Sequence, residues 1–225
     1  MWSRTRIIAL AIALLAACTP VASEAPTSGA DGPASGALHH LADLTVAPER
    51  PRDGYDRDDW RHWIDADGDC LNTRHEVLLA ESLTPATLSD NGCAVIAGRW
   101  HDPFTGMVFT LPSDLDIDHL VPLAEAHDSG ADAWTAERRQ AYANDLDLPQ
   151  TLMAVDDASN QRKGDRDPAE WLPPDETGHC AYAIAWVTVK RHWDLAVDPV
   201  EAGALELLLA RCAALEGVAL AAGWR

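Results

Sequence analysis

The chain has 225 residues and sets 36 acidic side chains against 17 basic ones, a formal net charge of −19. That balance excludes a protein that holds nucleic acid through a broad basic surface. It does not exclude an enzyme that takes its positive charge from a bound cation, and the length allows one ordinary domain with a substantial core, plus tails.

The chain begins "MWSRTRIIALAIALLAAC", with Arg4 and Arg6 ahead of an apolar run and small residues up to Cys18. The run is too short to cross a bilayer as a helix, and its layout is that of a secretory signal. Leu15-Ala16-Ala17-Cys18 resembles the lipobox of bacterial lipoproteins, which implies a lipidated Cys18 and a membrane-anchored protein outside the cytoplasm. Without lipidation the same leader implies simple secretion. Residues 19–48 are rich in Pro, Ala, Ser and Gly and read as a flexible tether, so the folded domain is expected over 49–225. Beyond Cys18 the cysteines are Cys70, Cys93, Cys180 and Cys212. Four cysteines in an exported chain suggest two disulfides with three possible pairings, and nearest-neighbour pairing gives Cys70–Cys93 and Cys180–Cys212.

From Tyr55 an acidic loop precedes a helix opening at "NTRHEVL", with Thr73 as its cap. "DADGD" invites a calcium-loop reading, and Glu76 falls at the twelfth position from Asp65, but Cys70 stands at the sixth, where the turn glycine belongs. Ala94–Trp100 and Met107–Leu111 flank "HDPFTG" as a hairpin. "LDIDHLVPL" follows as a strand, then a helix, a glycine break and a second helix up to "YAND". "TLMAV" is a short strand, and "DDASNQRKGDRDPAEWLPP" is a polar helix start that runs to a Pro-Pro stop. The remainder is helical, His179–Trp193 and then a helix capped by Asp198-Pro199.

A strand–strand–helix unit brings the end of its first strand against its helix. There Asp118 and Asn160 offer two oxygens to one hard cation. Side chains alternate along a strand, so His119 can join Asp118 only where strand pairing stops. The blocks "DIDHLVPLAEA" with "SGA", and "NQRKGDRDPAEWLPP" from Asn160, resemble the HNH (His-Asn-His) endonucleases with their ββα-metal motif, and most closely their exported bacterial branch. The resemblance spans Tyr55 to Cys212. It implies an α+β fold, a ββα-metal core with an added N-terminal hairpin and helix and C-terminal helices. It also implies that Asp118 and Asn160 bind one divalent ion, Mg²⁺ or Mn²⁺, and that His119 is the general base. The family's middle asparagine, which pins a loop, is replaced by Thr151.

Lys163 and Arg74 are the candidate phosphate contacts, and Asp116, on the same strand face as Asp118, supports the metal ligands. The expected activity is metal-dependent hydrolysis of nucleic acid, DNA first, outside the cytoplasm, with a lipid anchor in the membrane and no obligate protein partner. The alternative is a non-catalytic membrane-tethered lipoprotein that binds through an HNH-like scaffold, which the acidic charge and Thr151 favour. A calcium-binding surface module built on "DADGD" is the third reading.

Overall fold

The computed structural model of the protein describes residues 32–221, so the leader, Cys18 and the first part of the expected tether lie outside the described residues. The elements in chain order are α1 (Pro33–Asp43), α2 (Thr73–Glu81), β1 (Thr87–Leu88), β2 (Val95–Ala97), β3 (Trp100–His101), β4 (Val108–Phe109), β5 (Leu115–His119), α3 (Leu123–Asp128), α4 (Ala136–Ala143), β6 (Leu152–Asp156), α5 (Asp157–Lys163), α6 (His179–His192) and α7 (Pro199–Ala221). The fold is α+β, with three two-stranded antiparallel sheets among the described residues.

The tether expected over 19–48 stops short of that span, because residues 33–43 form α1 and belong to the core. Ala34, Ala37 and Leu41 recur at helical spacing and are all buried. Alanine is the best helix former, and its small side chain lets α1 lie against α6 and α7. Glu216 of α7 accepts the Ala34 N–H at 3.1 Å, which places a carboxylate at the positive end of α1. A Pro/Ala/Ser/Gly composition marks a linker only when nothing covers its alanines.

The expected hairpin from Ala94 to Leu111 is split. Trp100 and His101 pair with Phe109 and Val108, whereas Val95–Ala97 pairs with β1. Gly98 makes the break: a Cβ there would lie 2.5 Å from the Trp100 ring, which folds back across the chain. At the start of α2 the cap is Asn72, whose side chain accepts the His75 N–H, and Thr73 is the first helical residue. The helix after "LMAV" ends at Gly164, φ +58°, rather than at Pro173-Pro174. Asp167 then caps a separate turn through the Ala169 and Glu170 amides.

Alternation along β5–β6 divides the core. Leu115, Ile117, Leu152 and Ala154 face Val77 and Leu78 of α2 and the ring of Trp100. The other face, with Asp116, Asp118, Met153 and Val155, turns toward α5 and the helical core. In that helical core Lys190 of α6 is fully buried and donates to Glu125 of α3 and Glu201 of α7, both at 2.7 Å, and to Ser129 and the Ala196 carbonyl, both at 2.9 Å. Burial pushes the Glu201 carboxyl up to about 7. Disulfides join Cys70 to Cys93 and Cys180 to Cys212, the second tying α6 to α7.

Candidate active site

Asp156 ends β6 and caps α5 by accepting the Ser159 N–H at 2.8 Å, so the strand passes into the helix with no intervening loop. Asn160 and Lys163, one turn apart on α5, then meet the acidic face of β5. Asn160 Nδ2 donates to Asp116 Oδ2 at 3.1 Å. Lys163 Nζ is fully buried, 2.9 Å from Asp118 Oδ1 and 2.8 Å from Oδ2, and it donates also to the His119 carbonyl at 3.1 Å. Only Oδ1 has hydrogen-bond geometry, which leaves Oδ2 without a hydrogen-bond partner. Burial pushes the Asp118 carboxyl up and the Lys163 ammonium down, while each charge opposes the other's shift. The structure thus gathers Asp116, Asp118, Asn160 and Lys163 on one face.

His119 stands apart from them. Strand pairing does not stop before it: His119 is still paired with Leu152, so its ring lies on the opposite face of β5 from Asp118. The ring is buried beside Trp63 and stacks on Tyr142, with centroids 5.7 and 6.0 Å away. Nε2 lies 3.0 Å from the Ala143 carbonyl, and a carbonyl only accepts, so Nε2 carries the ring proton and Nδ1 keeps its lone pair. Burial lowers the His119 pKa to about 3, a shift that the charge of Arg57 reinforces. The imidazole is neutral at pH 7.

The loop that offers the Ala143 carbonyl is held by two residues that the sequence motifs do not mark. Asn144 donates to the Arg61 and Gln140 carbonyls at 2.9 and 2.8 Å, and accepts from Ile64 N at 3.1 Å and Thr73 Oγ1 at 2.7 Å. Asp145 accepts from Asp147 N, Leu148 N, Thr151 Oγ1 and Trp193 Nε1. Thr151 is buried, and its carbonyl accepts the Leu120 N–H at 3.1 Å, one bond beyond the last β5–β6 pair. The pinning of this loop is shared among Asn144, Asp145 and Thr151. The signal was available as "AND" at the end of a helix.

Neither phosphate candidate from the sequence points outward. Arg74 Nη2 donates to the Pro112 and Leu115 carbonyls, both at 2.8 Å, and fixes the start of β5. Lys163 is sealed against Asp118. An open cleft of about 380 Å³ beside Asn160 is lined instead by Tyr55, Arg57, Pro122, Gln161 and Gly164 among others. In "DADGD" the carboxylates of Asp65, Asp67 and Asp69 lie within 4.8 Å of one another, all exposed. Asp65 accepts from Gly68 N and Cys70 N, and Cys70 takes φ +74°.

A strand pair that carries Asp-His at its end and passes directly into a helix bearing Asn-x-x-Lys is a ββα unit of nuclease type. The chain belongs to the family of the GmrSD restriction endonucleases' C-terminal domain, whose model matches residues 74–205 and so covers β5, β6 and α5. It is also 43% identical over 203 residues to an uncharacterized secreted protein of Arthroderma benhamiae, an alignment covering 89% of this chain and 98% of that protein. No solved structure matches.

Proposed function

We propose that the protein is a metal-dependent endonuclease that hydrolyses phosphodiester bonds of nucleic acid, DNA first, outside the cytoplasm. The observation that carries this reading is the gathering of oxygen donors from Asp116, Asp118 and Asn160 on one face of β5–α5, at the strand end that also holds a neutral imidazole. Such donors suit a hard divalent ion, which would share the Asp118 carboxylate with the Lys163 ammonium that lies against it. Asp118 and Asn160 would hold Mg²⁺ or Mn²⁺, with Asp116 steering the Asn160 amide. When bound, the ion would stabilise the negative charge that develops on the phosphoryl oxygens. His119 is the proposed base: the Ala143 carbonyl fixes the tautomer that leaves Nδ1 unprotonated. Because the ring lies on the other face of β5 from Asp118, this role requires the attacking water to sit beyond the strand end, where both faces are reached.

Location outside the cytoplasm is supported by the leader sequence, by the two disulfides and by the secreted relative. Lipidation of Cys18 rests on the lipobox resemblance alone. No helix among the described residues is long and apolar enough to cross a membrane.

A second reading, a non-catalytic binding scaffold, draws on one observation: Asp118 already has a cation against it in Lys163. Incubation of the purified protein with supercoiled plasmid and with RNA, in Mg²⁺, Mn²⁺ or EDTA, separates the two. Cleavage with metal and none in EDTA is expected. Failure with every divalent ion leaves the scaffold reading.

A further inference from the structure

The cleft beside Asn160 contains a charge that neither the family match nor the sequence motifs assign. We infer that Arg57, with Tyr55 beside it, is the phosphate-binding subsite for the strand being cut, an inference that rests on the nuclease reading above. Arg57 is exposed, and it lines the cleft together with Tyr55, Asn160 and Gln161. Among the described residues no carboxylate lies within ion-pairing distance of it, in contrast with Arg50, Arg52, Arg138, Arg139 and Arg162. Arg61, Arg74, Arg99, Arg166, Arg191 and Arg211 also have no carboxylate within that distance among the described residues, but of all these arginines only Arg57 lines the cleft. The one carboxylate that lines the cleft, Asp165, is itself paired with Arg52.

The position of Arg57 is fixed from below. It opens the short 3-10 turn Arg57–Trp60, which Asp56 caps by accepting the Asp58 N–H at 2.9 Å. Trp60 closes that turn fully buried, with its ring 5.7 Å from Tyr142, and Tyr142 is the ring that stacks on His119. One aromatic cluster therefore sets both the proposed base and the turn that carries the guanidinium. A guanidinium matches two phosphate oxygens at once, which a buried lysine cannot do from behind Asp118.

The test compares wild type, Arg57→Ala and Arg57→Lys in two assays. One is plasmid cleavage with Mg²⁺ or Mn²⁺. The other is binding of a labelled oligonucleotide duplex across a salt series, in a His119→Ala background that leaves the substrate intact. Arg57→Ala should lower duplex affinity about tenfold and make its salt dependence shallower by about one released counterion. Arg57→Lys should keep the salt slope but recover only part of the cleavage rate. The thermal midpoint should not move, because the Arg57 side chain is exposed and unpaired. If wild type cleaves and Arg57→Ala cleaves and binds as well, the subsite assignment is overturned and the nuclease reading stands. A fallen midpoint with an unchanged salt slope also overturns it, as a structural role. If wild type neither cleaves nor binds with any divalent ion, the nuclease reading falls and takes the assignment with it.

Discussion

Lys163 places its ammonium 2.9 and 2.8 Å from the two carboxylate oxygens of Asp118, in a position sealed from solvent. A cation supplied by the chain thus sits where a divalent ion would also find its ligand. Removing it should leave Asp118 buried and unpaired. Lys163→Met is expected to destabilise the fold by about 3–5 kcal/mol, the usual cost of breaking a buried pair from one side. Because the ammonium and a metal compete for one carboxylate, excess Mg²⁺ or Mn²⁺ should raise the melting temperature of the variant more than that of wild type. Equal metal-induced shifts in the two proteins would show that the ion does not use Asp118.

The bond from His119 Nε2 to the Ala143 carbonyl gives two variants with separable outcomes. His119→Ala should lower the cleavage rate by roughly 10²–10⁴-fold while leaving metal affinity nearly unchanged, since a proton carrier is lost and the ligands remain. Asn144→Ala removes the side chain that fixes the carbonyl's loop at four points. Its effect should be smaller, about tenfold, and should fall on kcat rather than KM. Isothermal titration with Mn²⁺ alongside plasmid nicking measures both. A fall in metal affinity in His119→Ala equal to that in Asp118→Ala would refute the division of labour.

The ββα order was legible in the sequence because it depends on local signals: alternation in "LDIDH", a short apolar run in "LMAV", and a capping aspartate before the polar helix. The orientation of His119 was legible only in part. Period-two alternation places it opposite Asp118, but where pairing ends is set by the Leu120–Thr151 bond between residues distant in sequence. In the sequence Lys163 and Arg74 look like phosphate contacts, because a basic residue near an active-site motif has no visible partner in one dimension. Their partners, Asp118 and two carbonyls, arrive only with the fold. Arg57 is inconspicuous for the converse reason, since three nearby aspartates, Asp56, Asp58 and Asp59, make it look neutralised. The α1 helix was hidden by composition. Thr151 also changes its meaning: it is fully buried with its hydroxyl on Asp145, so Thr151→Asn would crowd the core rather than restore a contact.

The disulfides staple separate parts of the domain, with sequence separations of 23 and 32 residues. Loops of that size stabilise by about 3–4 kcal/mol each in the chain-entropy model. Cys180→Ala/Cys212→Ala should loosen α6 from α7 and with them α1, whose alanines pack on both. Hydrogen exchange should quicken in those three helices before it does in β5 and β6. Uniform quickening over the whole domain would mean that the bridge supports the fold globally.

Glu81 supplies a pH dependence whose sign can be worked out. Its carboxylate, at the end of α2, accepts the Ala154 N–H of β6 at 2.8 Å, and burial raises its pKa from 4.5 to about 7. Between those two values the folded chain holds a proton on Glu81 that the unfolded chain has released. The stability linked to this group is therefore fully present below about pH 4.5 and is lost as pH rises through about 7. A shift of this size corresponds to about 3 kcal/mol at alkaline pH. Glu81→Gln keeps an oxygen to accept the Ala154 amide and has no charge to bury. The variant should match wild type in urea unfolding at pH 4.5 and exceed it at pH 8, by up to about that amount. An offset that is the same at both pH values would show that Glu81 does not hold its proton in the folded state, and that the desolvation of its carboxylate is relieved some other way.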